Sequence, residues 1–190
     1  MSLPPVILAS ASPRRKELLE HIGIKFAVVP SHTAESETEM LTAAEIAQLN
    51  AYRKARAVAK QHPDALVIGV DTVVALGTRL FAKPVDLADA ERMLAELSGK
   101  SHEVVSGVCL VHLRKHRQVL FSDHTEVTFR PLTRAQIRRY LSLIKPLDKA
   151  GAYAIQDHGE LIVERVDGSL TNVVGLPLAR LEEELERFRV

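Results

Sequence analysis

The chain has 190 residues and a formal net charge of +1, and 46% of its residues are hydrophobic. The near-neutral charge excludes a protein that holds a polyanion through a general basic field. The aromatic content of 4%, without tryptophan, argues against a broad base-stacking platform for single-stranded nucleic acid. Because Cys109 is the single cysteine and no apolar run reaches the ~18 residues of a membrane-spanning helix, we expect a cytoplasmic protein without nucleic-acid or membrane partners.

The first half of the chain predicts three strands and two helices. The predicted strands are residues 6–9, 25–29 and 65–70, the last ending at Asp71 before residues 72–76 continue as extended chain. A helix is expected at residues 13–22, with Ser12 as its N-cap and Gly23 just beyond its end. A capping box of Thr42 and Glu45 begins a second helix, which runs to about residue 60.

The second half predicts a long hairpin, three helices and three short strands. The hairpin strands are residues 102–113 and 119–129, and the short strands are 152–155, 161–166 and 173–174. The helices begin at Asp86, at a Thr133–Gln136 capping box and at Pro177. This alternation predicts an α/β fold with a mixed central sheet and flanking helices. We expect residues 1–190 to form one domain with two lobes, and the cleft between them is the default ligand site.

The most informative segment is the first strand–turn–helix unit, where Ser10 and Ser12 precede Pro13, Arg14 and Arg15. A helix N-terminus offers unpaired backbone N–H groups and the positive end of the helix dipole. Two arginines there oppose the dipole, so we expect a bound anion to compensate. A phosphate is the natural candidate.

Asp71 follows the apolar run of residues 66–70. A carboxylate in that position must be hydrated, paired or bound to metal. Since the carboxyl ends of strands face the ligand crevice in α/β proteins, Asp71 is a candidate general base or metal ligand. The structural alternative is a turn aspartate that bonds its own backbone.

Three further charged residues are weaker candidates. Lys83 precedes Pro84, so its backbone is extended and its ammonium can meet a phosphate, although an ordinary surface lysine is the alternative. Glu35, in a polar loop, can join Asp71 around a hard divalent cation or remain a solvated charge. Lys54, in the second helix, either reaches the cleft or lies on a solvated face.

The segment from Pro146 to Gln156 places opposite charges beside small residues. Gln156 can recognise a base edge, because its amide is both a donor and an acceptor. Asp148 and Lys149 can belong to the same site or form a local surface pair, which contributes little.

Several segments in this order resemble a known family over nearly the whole chain. They are Ser10-Ala11-Ser12-Pro13-Arg14-Arg15-Lys16-Glu17-Leu18-Leu19, Gly69-Val70-Asp71-Thr72-Val73-Val74, Lys83-Pro84, Leu97-Ser98-Gly99, Ser106-Gly107-Val108, Asp148-Lys149-Ala150-Gly151-Ala152-Tyr153 with Gln156, and Asn172-Val173-Val174-Gly175-Leu176-Pro177. Together they resemble the Maf family of nucleoside triphosphate pyrophosphatases. The segment of residues 148–156 looks like the branch that acts on dTTP and UTP.

The resemblance implies an inosine-triphosphate-pyrophosphatase-like fold and hydrolysis of a nucleoside triphosphate to the monophosphate and pyrophosphate, with Mg²⁺ or Mn²⁺. A homodimer is plausible for the family. The implied catalytic residues are Asp71, Lys83 and Arg14, and the implied metal ligands are Glu35 and Asp71. The implied substrate-binding residues are Ser10, Arg14, Arg15, Lys54, Lys83, Thr72, Asp148, Lys149 and Gln156.

Three alternatives remain open at this point. One is the same reaction on another or modified base, such as 7-methyl-GTP. Another is a nucleotide-binding regulator of septum formation without important turnover, for which Asp71 would have no evident use. The third is a nucleic-acid-binding protein that uses the arginine pairs Arg14-Arg15 and Arg138-Arg139, against which the near-neutral charge argues.

Overall fold

The computed structural model describes residues 3–36 and 40–189, so residues 37–39 of the predicted polar loop lie outside the described chain. The strands are β1 (Val6–Leu8), β2 (Phe26–Val28), β3 (Leu66–Leu76), β4 (Arg79–Phe81), β5 (Ser101–His112), β6 (Arg117–Phe129) and β7 (Val163–Asp167). The helices are α1 (Pro13–His21), α2 (Ala43–Ala59), α3 (Leu87–Leu97), α4 (Arg134–Leu143), α5 (Leu170–Val174) and α6 (Leu178–Glu186). None of the helices in the described ranges is long and apolar enough to cross a bilayer.

The strands form one mixed sheet in the order β2-β1-β3-β5-β6-β7, and β4 pairs with β3 beside this path. β1 is parallel to both β2 and β3, whereas β3, β5, β6 and β7 pair antiparallel in turn. The predicted mixed α/β sheet with flanking helices is therefore confirmed.

The edge of β3 that faces β1 is open in its middle. β1 pairs with β3 only as far as Leu8↔Ile68, and β4 pairs with it only from Val74 onward. β5 covers the opposite edge continuously from Val67 to Ala75. Among the described strands, residues 69–73 of β3 thus have a neighbour on one edge alone, which leaves a gap in the sheet.

Helix α2 lies directly on one face of the sheet because two glycines allow it. A Cβ atom on Gly69 of β3 would be 2.3 Å from the carbonyl oxygen of Ala51, and one on Gly107 of β5 would be 2.3 Å from that of Ala47. No side chain fits in either place. Alanines of α2, Ile7 of β1 and Val67 of β3 complete the core on this face.

The opposite face packs against α1 and α6. Leu19 of α1 and Leu181 of α6 join Ile68 and Val70 of β3 in a core that is almost fully buried. Since side chains alternate along a strand, the even-numbered residues of β3 from Leu66 to Thr72 face α1 and α6, and the odd-numbered ones from Val67 to Asp71 face α2. A third core, around Phe129 of β6, packs beneath α3 and α4.

Most predicted elements are present, including both capping boxes and the Asp86 N-cap. Four expectations were wrong. β3 does not end at Asp71 but continues to Leu76, because β5 pairs with it past that point. Residues 152–155 are not a strand: a 3₁₀ turn at Ala150–Ala152 occupies their beginning.

The predicted strand at residues 173–174 is the end of α5, which Ser169 caps by accepting the N–H of Asn172. Ser12 occupies the N-cap position of α1 without a capping bond from its side chain, and its own N–H donates instead to Ser10 Oγ. The sequence analysis also overlooked β4, whose three residues are too few to show a period.

Candidate active site

The gap beside β3 opens into a cleft with a volume of about 1130 Å³. All of the predicted site residues line it: Ser10, Arg14, Arg15, Glu35, Lys54, Asp71, Thr72, Lys83, Asp148, Lys149 and Gln156. The cleft combines a large concave surface with many charged side chains, and it is the candidate active site.

On the α2 side of β3, one lysine joins two carboxylates. Lys54 Nζ lies 2.6 Å from Asp71 Oδ1 and 2.6 Å from Glu35 Oε1. Asp71 is 5% exposed, so its oxygens are satisfied by these partners rather than by water. We call Asp71, Lys54 and Glu35 the carboxylate centre.

Helix α2 explains how Lys54 reaches Asp71. Asn50 and Lys54 are four residues apart, so both side chains lie on one helix face. The close contact at Gly69 brings that face against the next odd-numbered position of β3, which is Asp71. Asn50 Nδ2 donates to Asp71 Oδ2 at 3.0 Å. Both oxygens of the carboxylate are therefore held from α2.

The charges of the centre act on Glu35. Its burial alone would raise the pKa and is the largest single influence, but the hydrogen bond and charge of Lys54, with Lys83 and Arg15 further away, lower the pKa below its ordinary value. Glu35 is therefore ionised at neutral pH. The carboxylate centre thus brings two carboxyl groups together around one lysine.

On the opposite face of β3, Arg15 is held by neutral oxygens. Its Nε donates to the Gly175 carbonyl at 2.9 Å, Nη1 to Ser10 Oγ at 3.2 Å and Nη2 to Thr72 Oγ1 at 3.0 Å. Ser106 bonds Thr72 from behind at 2.9 Å. We call Arg15 with these acceptors the arginine centre.

Burial lowers the pKa of Arg15, and the negative charges of Asp71 and Glu35 oppose that shift. An arginine nevertheless keeps its proton in a protein. Because these three acceptors are neutral, the guanidinium is fixed in position, and no carboxylate of residues 3–36 and 40–189 is in direct contact with it. This arrangement can bind an anion such as a phosphate.

Two further cations lie at the mouth of the cleft. Lys83 Nζ is 3.8 Å from Glu35 Oε2, and the lysine side chain is 54% exposed. Arg14 Nη1 is 3.7 Å from Asp148 Oδ2, across the opening from α1. Both contacts are long and accessible, so an incoming anion can displace them at little cost.

The far end of the cleft is formed by residues 147–156. Lys149 is 5% exposed, and its ammonium donates to the Lys145 carbonyl at 2.6 Å and to Asp148 Oδ1 at 2.7 Å. Lys149 therefore holds this segment together with its charge already engaged. Asp148 has a lowered pKa: burial opposes the shift, but the Lys149 bond and charge outweigh it. The exposed Gln156 also lines the cleft.

Two carboxylates are available for a divalent cation, Asp71 and Glu35. Within residues 3–36 and 40–189, histidine, cysteine, aspartate and glutamate form no cluster of three or more that could hold a metal ion. Mg²⁺ is nevertheless commonly bound by one or two carboxylates together with the phosphates of a substrate. The oxygen donors of the carboxylate centre therefore fit a cation that arrives with a phosphate ligand.

Comparison with known proteins decides the family. The family model described as "Maf-like protein" matches residues 5–188. The chain belongs to the Maf family. A relative from Bacillus cytotoxicus, named dTTP/UTP pyrophosphatase, is 47% identical over 182 residues, which cover 96% of this chain and 94% of the relative. One from Bacillus cereus with the same name is 43% identical over 189 residues, which cover 100% of this chain and 92% of the relative.

Two solved structures resemble this Maf protein more distantly. A nucleoside-triphosphatase / dITP/XTP pyrophosphatase from Mycobacterium abscessus is 18% identical, with a TM-score of 0.48 and coverage of 97% of this chain and 95% of that chain. A HAM1 protein from Coxiella burnetii is 20% identical, with a TM-score of 0.47 and coverage of 67% and 73%. Similarity at this level carries nothing over to the site.

The sequence analysis of this Maf protein missed three contributors to the cleft. Asn50 was not among the predicted site residues, although it contacts Asp71 directly. Gly175 supplies a carbonyl to Arg15, and Ser106 supports Thr72. The i, i+4 spacing of Asn50 and Lys54 was the one signal that could have revealed the first; the other two depend on tertiary packing.

Proposed function

We propose that this protein hydrolyses dTTP and UTP to the monophosphate and pyrophosphate, by attack of water on the α-phosphate. The observation that carries the proposal is the joint position of the carboxylate centre and the arginine centre on the two faces of one strand, within one cleft. The choice of dTTP and UTP rests on the names of the relatives.

Phosphoanhydride hydrolysis requires charge neutralisation and a positioned water rather than covalent help from the protein. Arg15, Arg14 and Lys83 are the cations that neutralise the triphosphate, with Ser10 and Thr72 holding Arg15 in place. Asp71 accepts the proton of the attacking water, and the leaving pyrophosphate stays with the cations. Proton transfer to a positioned base typically contributes about 10²–10⁴-fold in rate.

We propose that Asp71 and Glu35 hold the divalent cation, Mg²⁺ or Mn²⁺. When bound, the metal neutralises phosphate charge and acidifies a coordinated water. Lys54 would then be able to turn from the carboxylates toward a phosphate, which agrees with its predicted role in substrate binding.

The base is proposed to lie against residues 148–156, with the amide of Gln156 reading its edge. Lys149 supports that segment rather than touching substrate, because its ammonium already has three oxygen partners. We also propose that residues 1–190 form a single domain with two lobes, that the protein acts in the cytoplasm, and that it is a homodimer.

The test is a panel of nucleoside triphosphates incubated with the purified protein and Mg²⁺ or Mn²⁺, with pyrophosphate and orthophosphate both quantified. We expect pyrophosphate and monophosphate from dTTP and UTP. Pyrophosphate from another base alone would keep the reaction and contradict the substrate. Orthophosphate alone would exclude cleavage at the α–β bond, and no turnover with any nucleotide would favour a binding regulator.

Asp71→Asn tests the role of Asp71 in catalysis separately from the binding of dTTP. It keeps the size of the side chain and removes the base, so we expect kcat for dTTP to fall by about 10²–10⁴-fold while dTTP still binds. Turnover close to that of the wild type in a folded Asp71→Asn variant would show that Asp71 is not the base.

A further inference from the structure

Asn50 connects two parts of the carboxylate centre that are distant in sequence. It is 3% exposed. Its Nδ2 donates to Asp71 Oδ2 at 3.0 Å and to the carbonyl of Ser36 at 3.2 Å, and its Oδ1 accepts the Ser36 N–H at 2.7 Å. Ser36 follows Glu35 directly, so one amide ties both carboxylate-bearing segments to α2.

The contacts allow only one orientation of this amide. The Ser36 N–H needs an acceptor, which places Oδ1 of Asn50 toward it. Nδ2 then faces the Ser36 carbonyl and the Asp71 carboxylate, both of which need a donor. A flipped amide would set oxygen against oxygen and N–H against N–H. All the hydrogen-bonding groups involved are thus satisfied in a single arrangement.

The two donors from α2 grip different oxygens of Asp71. Lys54 reaches Oδ1 at 2.6 Å and Asn50 reaches Oδ2 at 3.0 Å. One contact would leave the carboxylate free to rotate about its Cβ–Cγ bond, whereas two contacts fix its plane. The amide does this without adding charge, so the balance between the two carboxylates and Lys54 is unchanged.

We propose that Asn50 is a positioning residue that sets the orientation of the Asp71 carboxylate and docks the loop bearing Glu35. This inference rests on the proposed function, in which Asp71 is the base. Groups that orient a reacting or metal-binding carboxylate typically contribute about 10–100-fold in activity when they are removed. The effect is expected in kcat, since the described hydrogen bonds of Asn50 involve Ser36 and Asp71 rather than the cations assigned to the triphosphate.

The helix offers a matched control. Arg53 lies on the same turn and its Nη1 bonds Ser36 Oγ at 3.3 Å, so it also ties α2 to the loop, and its described hydrogen bond involves Ser36 rather than Asp71. Arg53→Ala therefore tests loop attachment alone. Asn50→Asp tests the hydrogen bond to Asp71. The aspartate can still accept the Ser36 N–H, but it cannot donate to Asp71.

The experiment measures dTTP kinetics and the binding of inorganic pyrophosphate by calorimetry for wild type, Asn50→Ala, Asn50→Asp and Arg53→Ala, with thermal unfolding as a check on folding. We expect Asn50→Ala and Asn50→Asp to lose about 10–100-fold in kcat. KM for dTTP and the Kd for pyrophosphate should stay within about twofold of wild type, as expected when only transition-state interactions are lost. Arg53→Ala should keep kcat within about threefold, the range of a surface contact.

A second readout is the double variant Asn50→Ala/Asp71→Asn. If Asn50 acts through Asp71, removing Asn50 should cost nothing further once the base is gone. The proposal is wrong if Asn50→Asp keeps the wild-type kcat, if Arg53→Ala loses as much as Asn50→Ala, or if the two substitutions multiply. An active wild type with an unaffected Asn50→Ala variant would reject this inference and leave the proposed function standing. An inactive wild type would reject both.

Discussion

The two faces of β3 present neighbouring residues to opposite environments. Asp71 faces α2, where Lys54 bridges it to Glu35, and Thr72 faces α1, where it accepts from Arg15. In the carboxylate centre, opposite charges compensate one another. In the arginine centre, a cation is surrounded by neutral hydroxyl and carbonyl oxygens. The difference shows how one strand can carry a carboxylate that is neutralised by a lysine on one face, and position an arginine that is available to an anionic ligand on the other.

Removing the lysine that neutralises Asp71 and Glu35 should have the largest effect on the stability of the protein. Lys54→Met leaves two carboxylates without their shared cation, and we expect the free energy of unfolding at pH 7 to fall by about 3–5 kcal/mol. Chemical denaturation measures this. Lys60→Met, an exposed substitution at the end of the same helix, should change stability by no more than about 0.5 kcal/mol. A similar loss in both variants would show that the bridge is not the cause.

The difference in stability between the wild type and Lys54→Met should also depend on pH. The folded pKa of Glu35 is lowered below 4.5, so its stabilising contribution is present above that value and is lost as the pH falls through the folded pKa. We expect the stability gap between wild type and Lys54→Met to be widest near neutral pH and to narrow below pH 4.5. A gap that stayed constant down to pH 3 would contradict this assignment.

The packing of α2 on β3 can be changed by a substitution that involves no charged residue. Gly69→Ala places a Cβ 2.3 Å from the Ala51 carbonyl, which is backbone and cannot rotate away. Overpacking of this kind costs about 1–3 kcal/mol. Because the helix must shift, the grip of Asn50 and Lys54 on Asp71 should loosen, and kcat should fall while pyrophosphate affinity is kept. Weaker pyrophosphate binding with an unchanged kcat would contradict this prediction, because it would show that the substitution disturbs the arginine centre rather than the contacts of α2 with Asp71.

The role of the arginine centre can be tested by comparing Arg15 with the neighbouring Arg14, which lies at the mouth of the cleft. Arg15→Lys replaces a planar group with three directed contacts by a single ammonium, so we expect KM for dTTP to rise about tenfold, the loss of one hydrogen bond to a charged group. Arg14→Lys should raise KM by less than about threefold, because its long and partly exposed contact contributes little. Equal effects in steady-state kinetics would show that the contacts of Arg15 do not matter.

The smallest expected effect concerns Thr72. Thr72→Val removes the acceptor of Arg15 Nη2 and should raise KM by a few fold, in line with a loss of about 1 kcal/mol for one hydrogen bond. Thr72→Ser keeps the hydroxyl and should leave KM within about twofold of the wild-type value. If the serine variant behaves like the valine variant, packing of the methyl group rather than the hydroxyl is responsible.

Local signals in the sequence predicted much of this architecture. The capping boxes at Thr42 and Thr133 mark helix starts through contacts between residues three apart, which a sequence displays directly. The long hairpin was also predicted correctly from its apolar runs. The predicted site residues lie together in one cleft; most were tied to the end of an element or to a loop beside it, whereas Lys54 was placed within a helix.

What could not be predicted depends on distances between elements. The contact of Asn50 with Asp71 requires α2 to lie directly on β3, which follows from the absence of a side chain at Gly69; the i, i+4 spacing of Asn50 and Lys54 shows only that the two residues share a helix face. The carbonyl of Gly175 reaches Arg15 across 160 positions of sequence. The burial of Lys149, a residue type that is normally exposed, becomes visible only once its oxygen partners are in place.

The open edge of β3 has a consequence for the solubility of the folded protein. An exposed strand edge can recruit a strand from another molecule and so begin aggregation. Here β1 and β4 each close part of that edge, and among the described strands residues 69–73 between them have no neighbour there. The opening is as long as a short strand of about 5 residues, but β1 and β4 flank it and it lies within a charged cleft. The protein can thus expose backbone to a small ligand while denying it to another chain.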